Sequence, residues 1–119
     1  GGEFALKVTL KVHAKRFIER VHVIDRLPHL VTLYEKFGAI SPDKVDIEHR
    51  RLEWKIPFID KNESKTFSYI IFSKIGVIGK YELPEAKVLY EEKGEVKEAL
   101  SNKSYYVNET VNKNTLRNI

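Results

Sequence analysis

The run Leu6-Lys7-Val8-Thr9-Leu10-Lys11-Val12-His13 alternates apolar and polar side chains without a break. Successive side chains of a strand point to opposite faces, so a period of two means an extended segment with one face on a core and the other in water. That places Val8, Leu10 and Val12 inside and predicts a β protein from its first ten or so residues. The same pattern recurs along the chain. Val21 and Val23 lie in a second strand over about 19–25, which stops at Asp25-Arg26-Leu27-Pro28, where proline cannot donate to a ladder. His29 to Tyr34 reads as a short strand ending at Phe37-Gly38, and Ser41-Pro42-Asp43 opens a loop.

Leu52, Trp54 and Ile56 alternate with Arg51, Glu53 and Lys55, which puts the single Trp on an inward face. Lys65 to Ser73 is the candidate central strand, with Phe67, Tyr69 and Ile71 on one side and Ile70 and Phe72 on the other. Ile75 to Gly79 is a glycine-punctuated connection, after which Tyr81-Glu82-Leu83-Pro84 leads into Val88, Leu89 and Tyr90. Lys93-Gly94 makes a turn, Val96 to Leu100 is expected to pair weakly, and Lys103 to Asn108 supplies the last strand. No stretch keeps helical apolar spacing long enough for a major helix. About seven short strands spaced by about ten residues point to an all-β, immunoglobulin-like antiparallel sandwich, preferred over a small barrel.

A chain of 119 residues can hold one two-layer core and not two, so a single domain over 5–108 must absorb nearly all the apolar residues. Gly1-Gly2-Glu3-Phe4 reads as cloning residue, since Glu-Phe is what a common restriction site encodes. The same four letters are the signature of diguanylate cyclases, but here they lack the strand before and the α/β scaffold after that give the motif its meaning. Residues 109–119 are polar and Asn-rich, and are expected to fray. With no Met even at position 1, the chain is read as a piece of a longer protein. Abundant Lys, Glu and Ile with neither Cys nor Met suggest a thermophilic source.

Twenty-one basic residues against 17 acidic give +4, with the two signs interleaved along the whole length. Mild, scattered basicity is not a nucleic-acid footprint. Arg16, Arg20, Arg26, Arg50 and Arg51 could meet phosphates only if they shared a face, and Glu19, Asp25, Glu48 and Glu53 stand between them to cancel the field. The absence of Cys removes disulfides, thiolate metal sites and cysteine nucleophiles together.

His13, His22, His29 and His49 show no metal-ligand spacing, and the serines lack a nucleophile elbow. Asp43, Asp46, Glu48, Asp60 and Glu63 lack the spacing of a calcium loop. No cofactor is therefore expected, and a non-enzymatic role is. Glycosylation sequons begin at Asn62, Asn102 and Asn108, each in or beside an expected turn. Trp54, Tyr69, Tyr81, Tyr90, Tyr105 and Tyr106 would form a ligand face if exposed, though strand aromatics usually fill the core.

Taken in order, Val8-Thr9-Leu10-Lys11-Val12, Val21-His22-Val23-Ile24-Asp25-Arg26-Leu27-Pro28, Leu52-Glu53-Trp54 and Tyr69-Ile70-Ile71 resemble a repeat of archaeal and bacterial surface proteins, domain of unknown function eleven. Tyr81-Glu82-Leu83-Pro84-Glu85-Ala86-Lys87-Val88-Leu89-Tyr90 is similar to that family's late segment, and Ser101-Asn102 then precedes the last strand. The resemblance spans about Leu6 to Val107. It departs where Ala14-Lys15-Arg16-Phe17 replaces an Asn-Gly-type turn. Asp25-Arg26-Leu27-Pro28 and Gly79-Lys80-Tyr81 are also similar to the immunoglobulin-like segment of domain of unknown function fifty-eight, a membrane-anchored family.

Both resemblances imply an extracellular or cell-envelope module with no catalytic residues to carry over. It would space or present neighbouring domains of its parent chain and contribute to adhesion. Its partners would be those domains, other envelope proteins or glycans, with no nucleic acid and with membrane association only through the parent. The alternatives are a carbohydrate- or peptide-binding module, or an accessory domain of a membrane-anchored protein.

Overall fold

In the computed structural model the described residues are 4–29, 31–73, 81–102, 104–106 and 110–114. Among them are eleven strands and no helix: β1 (Phe4–His13), β2 (Ile18–Arg26), β3 (Thr32–Tyr34), β4 (Lys44–Asp46), β5 (Arg51–Ile59), β6 (Ser64–Ser73), β7 (Tyr81–Leu83), β8 (Lys87–Glu92), β9 (Glu95–Leu100), β10 (Ser104–Tyr106) and β11 (Thr110–Asn114). One sheet has the order β11-β1-β6-β3, the other β4-β5-β2-β8-β9, and β7 pairs separately with β10. The pairings are antiparallel except β1 with β11.

The two layers form a β-sandwich. The chain crosses between them from β1 to β2, β2 to β3, β3 to β4, β5 to β6, β6 to β8 and β9 to β11, with β7 and β10 lying in neither layer. Sharing one layer between β1 and β6, and the other among β5, β2, β8 and β9, is the arrangement of strands B and E against C′, C, F and G in the immunoglobulin sandwich. Here the strand beside β6 is β3, which precedes the C′ equivalent instead of following it.

The strand count exceeds the expected seven. A three-residue strand such as β4 is too short to show a period, and Pro84 separates β7 from β8 where the sequence reads as one run. Val96 to Leu100, expected to pair weakly, lies in β9, which is matched to β8 throughout, from Lys87 opposite Leu100 to Glu92 opposite Glu95. Lys93 and Gly94 both have positive φ, 51° and 80°, the conformation of a two-residue type I′ turn whose twist suits a hairpin. In the stretch expected to fray, Thr110–Asn114 runs parallel to β1, from Lys7 opposite Thr110 to Lys11 opposite Asn114. Phe4, read as cloning residue, pairs with Ser73 at the start of β1. The glycine-punctuated connection at 75–79 lies outside the described residues.

Between the sheets, Val8, Leu10 and Val12 of β1 and Phe67, Tyr69 and Ile71 of β6 meet Val21, Val23, Leu52, Trp54, Val88 and Tyr90, all buried. Trp54 is completely buried, with ring centroids 5.2 Å from Phe67 and 6.4 Å from Tyr69 across the layers. Its indole N–H donates to the Ile40 carbonyl at 3.2 Å, which removes the cost of burying an unpaired donor.

Ile56 is only partly buried, and the inward positions change phase here, since Trp54 and Ile59 face in while Phe58 is 47% exposed. The cause is local. Arg20 has φ 49°, and the register of β2 against β8 shifts between Glu19 and His22, as a bulge requires. The extra residue moves the inward set of β2 from Ile18 to Val21 and Val23, and on β5 the slip falls around Pro57, an imino residue that cannot donate to the ladder.

A basic cleft at one end of the sandwich

β2 ends at Arg26 and β5 begins at Arg51, and the register places these two residues directly opposite each other. On the same outward face Ile24, two residues before Arg26, stands opposite Lys87 of β8. Like charges facing across a ladder repel, so folding concentrates positive charge at this end at a cost. The preceding turn adds Arg50, whose backbone adopts φ 55° and whose carbonyl accepts the Leu27 N–H at 2.8 Å. The Arg50 guanidinium donates through one nitrogen to the carbonyls of Pro28 at 2.5 Å and Val31 at 2.9 Å. It thereby staples the β2 exit to the turn before β5.

Two adjoining depressions result. One, of about 450 Å³, is lined by Arg26, Leu27, Pro28, His29, His49, Arg50, Arg51 and Pro84. The other, of about 380 Å³, shares Arg26, Arg51 and Pro84 with it and adds Ile24, Glu85, Lys87 and Leu100. Together their walls carry four permanent cations and one carboxylate.

The interleaving of charges that argues against a phosphate face in the sequence works out differently at the two ends. Arg16 pairs with Glu92 at 2.8 Å and Arg20 with Glu91, acids 76 and 71 positions away and not the interleaved neighbours of the sequence, of which Glu19 reaches Arg20 only at 3.9 Å. At the other end the acids are diverted. Asp25 is fully buried, where it accepts the Tyr69 hydroxyl at 2.7 Å and the backbone N–H of Arg26 at 3.0 Å. Glu53 binds His22 at 2.8 Å. Asp46 accepts the backbone N–H of His49 at 3.0 Å, the main cause of its carboxyl lying below the ordinary range, and reaches Arg51 only at 3.6 Å. Arg26 has no ion pair within 4.0 Å among the described residues. Sequence adjacency misses this because alternate residues of a strand face opposite sides.

The remaining candidates are dispersed. His13 contacts the Ser64 hydroxyl at 2.8 Å and His49 contacts Asp46 at 2.9 Å, and no group of three metal-ligating side chains forms among the described residues. Asp43 accepts the N–H of Lys55 in β5 at 2.6 Å and Glu63 the Asp60 N–H at 3.1 Å in the β5–β6 turn, so these carboxylates satisfy backbone donors. Asn62, at φ 65° in the turn between β5 and β6, and Asn102 are both exposed, while Asn108 lies outside the described residues.

Trp54, Tyr69 and Tyr90 fill the core and offer no ligand face. Tyr81 lies on β7 and Tyr105 and Tyr106 on β10; their side chains fall outside the description. An aromatic pair that the strand pattern does not single out, Phe17 and Phe58, stacks at 5.9 Å with both rings about half exposed, at the opposite end of the β2–β5 pair. No protein-family model matches this chain, and no curated protein is similar to it.

Proposed function

We propose that this chain is a non-catalytic structural and adhesion-type module of a larger cell-envelope protein, holding its neighbours in place and presenting the basic end cleft as its contact surface. The observation that supports this reading most is the division of labour in the fold. The aromatic and aliphatic side chains of both sheets meet in one core, with Trp54 in ring contact with Phe67 and Tyr69, while four cations with one carboxylate line an end built from strand termini. Such a body is a stiff support for whatever its ends touch. The envelope location rests on the resemblance to surface-protein repeats.

A carbohydrate-binding surface of the stacked-aromatic kind has less support, because Trp54, Tyr69 and Tyr90 are inside. The test is surface labelling of intact cells that make the parent protein. A membrane-impermeant amine reagent should modify exposed lysines such as Lys11, Lys55 and Lys61 without lysis. Labelling that appears only after the cells are broken overturns the envelope assignment.

A further inference from the structure

We infer that the end cleft between Arg26, Arg50, Arg51 and Lys87 is a binding site for a tetrahedral oxyanion, a phosphate or sulfate group carried by the ligand. This deepens the proposed function and rests on reading the cleft as the presented surface. Three independent features lead to it.

The first is charge without compensation. Arg26 faces Arg51 across the ladder, Lys87 lies beside them on the same face, Asp25, Glu53 and Asp46 are engaged by Tyr69, His22 and His49, and Glu85 is the one carboxylate in the lining against four cations. Of the two ion pairs that do reach the group, Arg51–Asp46 is 3.6 Å and Lys87–Glu98 is 4.0 Å, both longer than a charge-assisted hydrogen bond.

The second is unused donor capacity. The Nε–H groups of Arg50 and Arg51 are buried and have no acceptor among the described residues, a state that folded proteins avoid unless another group supplies one. A planar guanidinium presents paired donors that match two oxygens of a phosphate or sulfate. An oxygen that enters the cleft and draws the Arg51 guanidinium toward it satisfies a donor that has no acceptor among the described residues.

The third is preorganisation. Arg50 is already tied to the Pro28 and Val31 carbonyls, so its position is set before a ligand arrives. Leu27, Pro28 and Pro84 form apolar walls that lower the local dielectric and strengthen attraction to an anion.

The experiment is amide and arginine Nε–H chemical-shift mapping of the 119-residue chain, titrated separately with inorganic phosphate, inorganic sulfate, a sugar phosphate and the same sugar unphosphorylated, at constant ionic strength set with chloride. The expected result is saturable shifts confined to residues around 24–29, 49–51 and 84–87, including the Arg50 and Arg51 Nε–H signals, with no response to the neutral sugar. R26A should weaken binding about tenfold, the worth of one charge-assisted hydrogen bond. R26K should recover only part of it, because an ammonium cannot make the forked contact. R20A, at the far end, should leave affinity unchanged.

Tighter binding of the sugar phosphate than of free phosphate identifies the ligand as an ester, and equal affinity identifies the free anion; either supports the site. Shifts that are unsaturable, that chloride reproduces, or that survive R26A and K87A unaltered overturn it. Because the titration does not depend on where the parent protein resides, its failure is distinct from a failure of the surface-labelling test.

Discussion

At the scale of single residues, the Tyr69–Asp25 contact is the most consequential feature. It joins β6 to β2 across the core, with Asp25 fully buried and the phenol donating at 2.7 Å. Y69F leaves the buried carboxylate without this donor and should cost about 1–3 kcal/mol, seen as a melting temperature lower by several degrees. Burial first, and the Asp25 charge second, push the Tyr69 phenol well above its ordinary value of about 10.

The folded chain thus keeps a proton that the unfolded chain releases above about pH 10, and stability falls as pH rises past that point. Melting curves between neutral pH and pH 11 should show a steeper alkaline decline in the parent than in Y69F. Identical declines would show that the phenol does not carry the effect. Glu92 behaves in the opposite sense. Hydrogen bonds from Arg16 at 2.8 Å and Lys97 at 3.1 Å hold its carboxyl below the usual range. Its contribution is present above the ordinary glutamate range and is lost as pH falls through the lowered value, so E92Q should flatten the acid limb of the same curves.

At the scale of elements, the β8–β9 hairpin depends on its turn. Nothing lies within 4 Å of where a Cβ on Gly94 would be, so G94A meets no clash and pays only for φ of +80°. That cost should be about 1 kcal/mol, with little change at the distant β1–β6 pair in hydrogen exchange. The other instructive element is β11. It covers the outer edge of β1, whose other side is paired to β6 along ten residues. Deleting residues 110–119 should accelerate exchange of β1 amides and promote self-association in sedimentation, because an uncovered edge is a template for another strand. Unchanged protection of β1 would mean that β11 contributes little to holding that edge.

For the molecule as a whole, the single Trp reports on the core. Trp54 has no exposed surface and packs against both layers, so its emission should be blue-shifted in the native state and inaccessible to an aqueous quencher. Its red shift in denaturant should coincide with the loss of far-ultraviolet β signal, since one core serves both sheets. Separate transitions would divide the sandwich into independent units.

Alternation was enough to identify the β class, the long strands and most of the inward residues, because a period of two is a local property that any half-buried strand must display. Leu10, Trp54 and Tyr69 can be placed on the page without a third dimension. The basic cleft could not be. Arg26, Arg51 and Lys87 are separated by up to 61 positions, and only the pairing of β2 with β5 and β8 puts them on one face. Asp25, next to Arg26 in the chain, faces the opposite way into the core, and Glu53, on the same face as Arg51, is engaged by His22, so charge that cancels along the sequence accumulates in space. The pairing of β11 is likewise a product of contact between distant segments, and the phase slip at Arg20 lies in one left-handed backbone conformation that side-chain alternation does not announce.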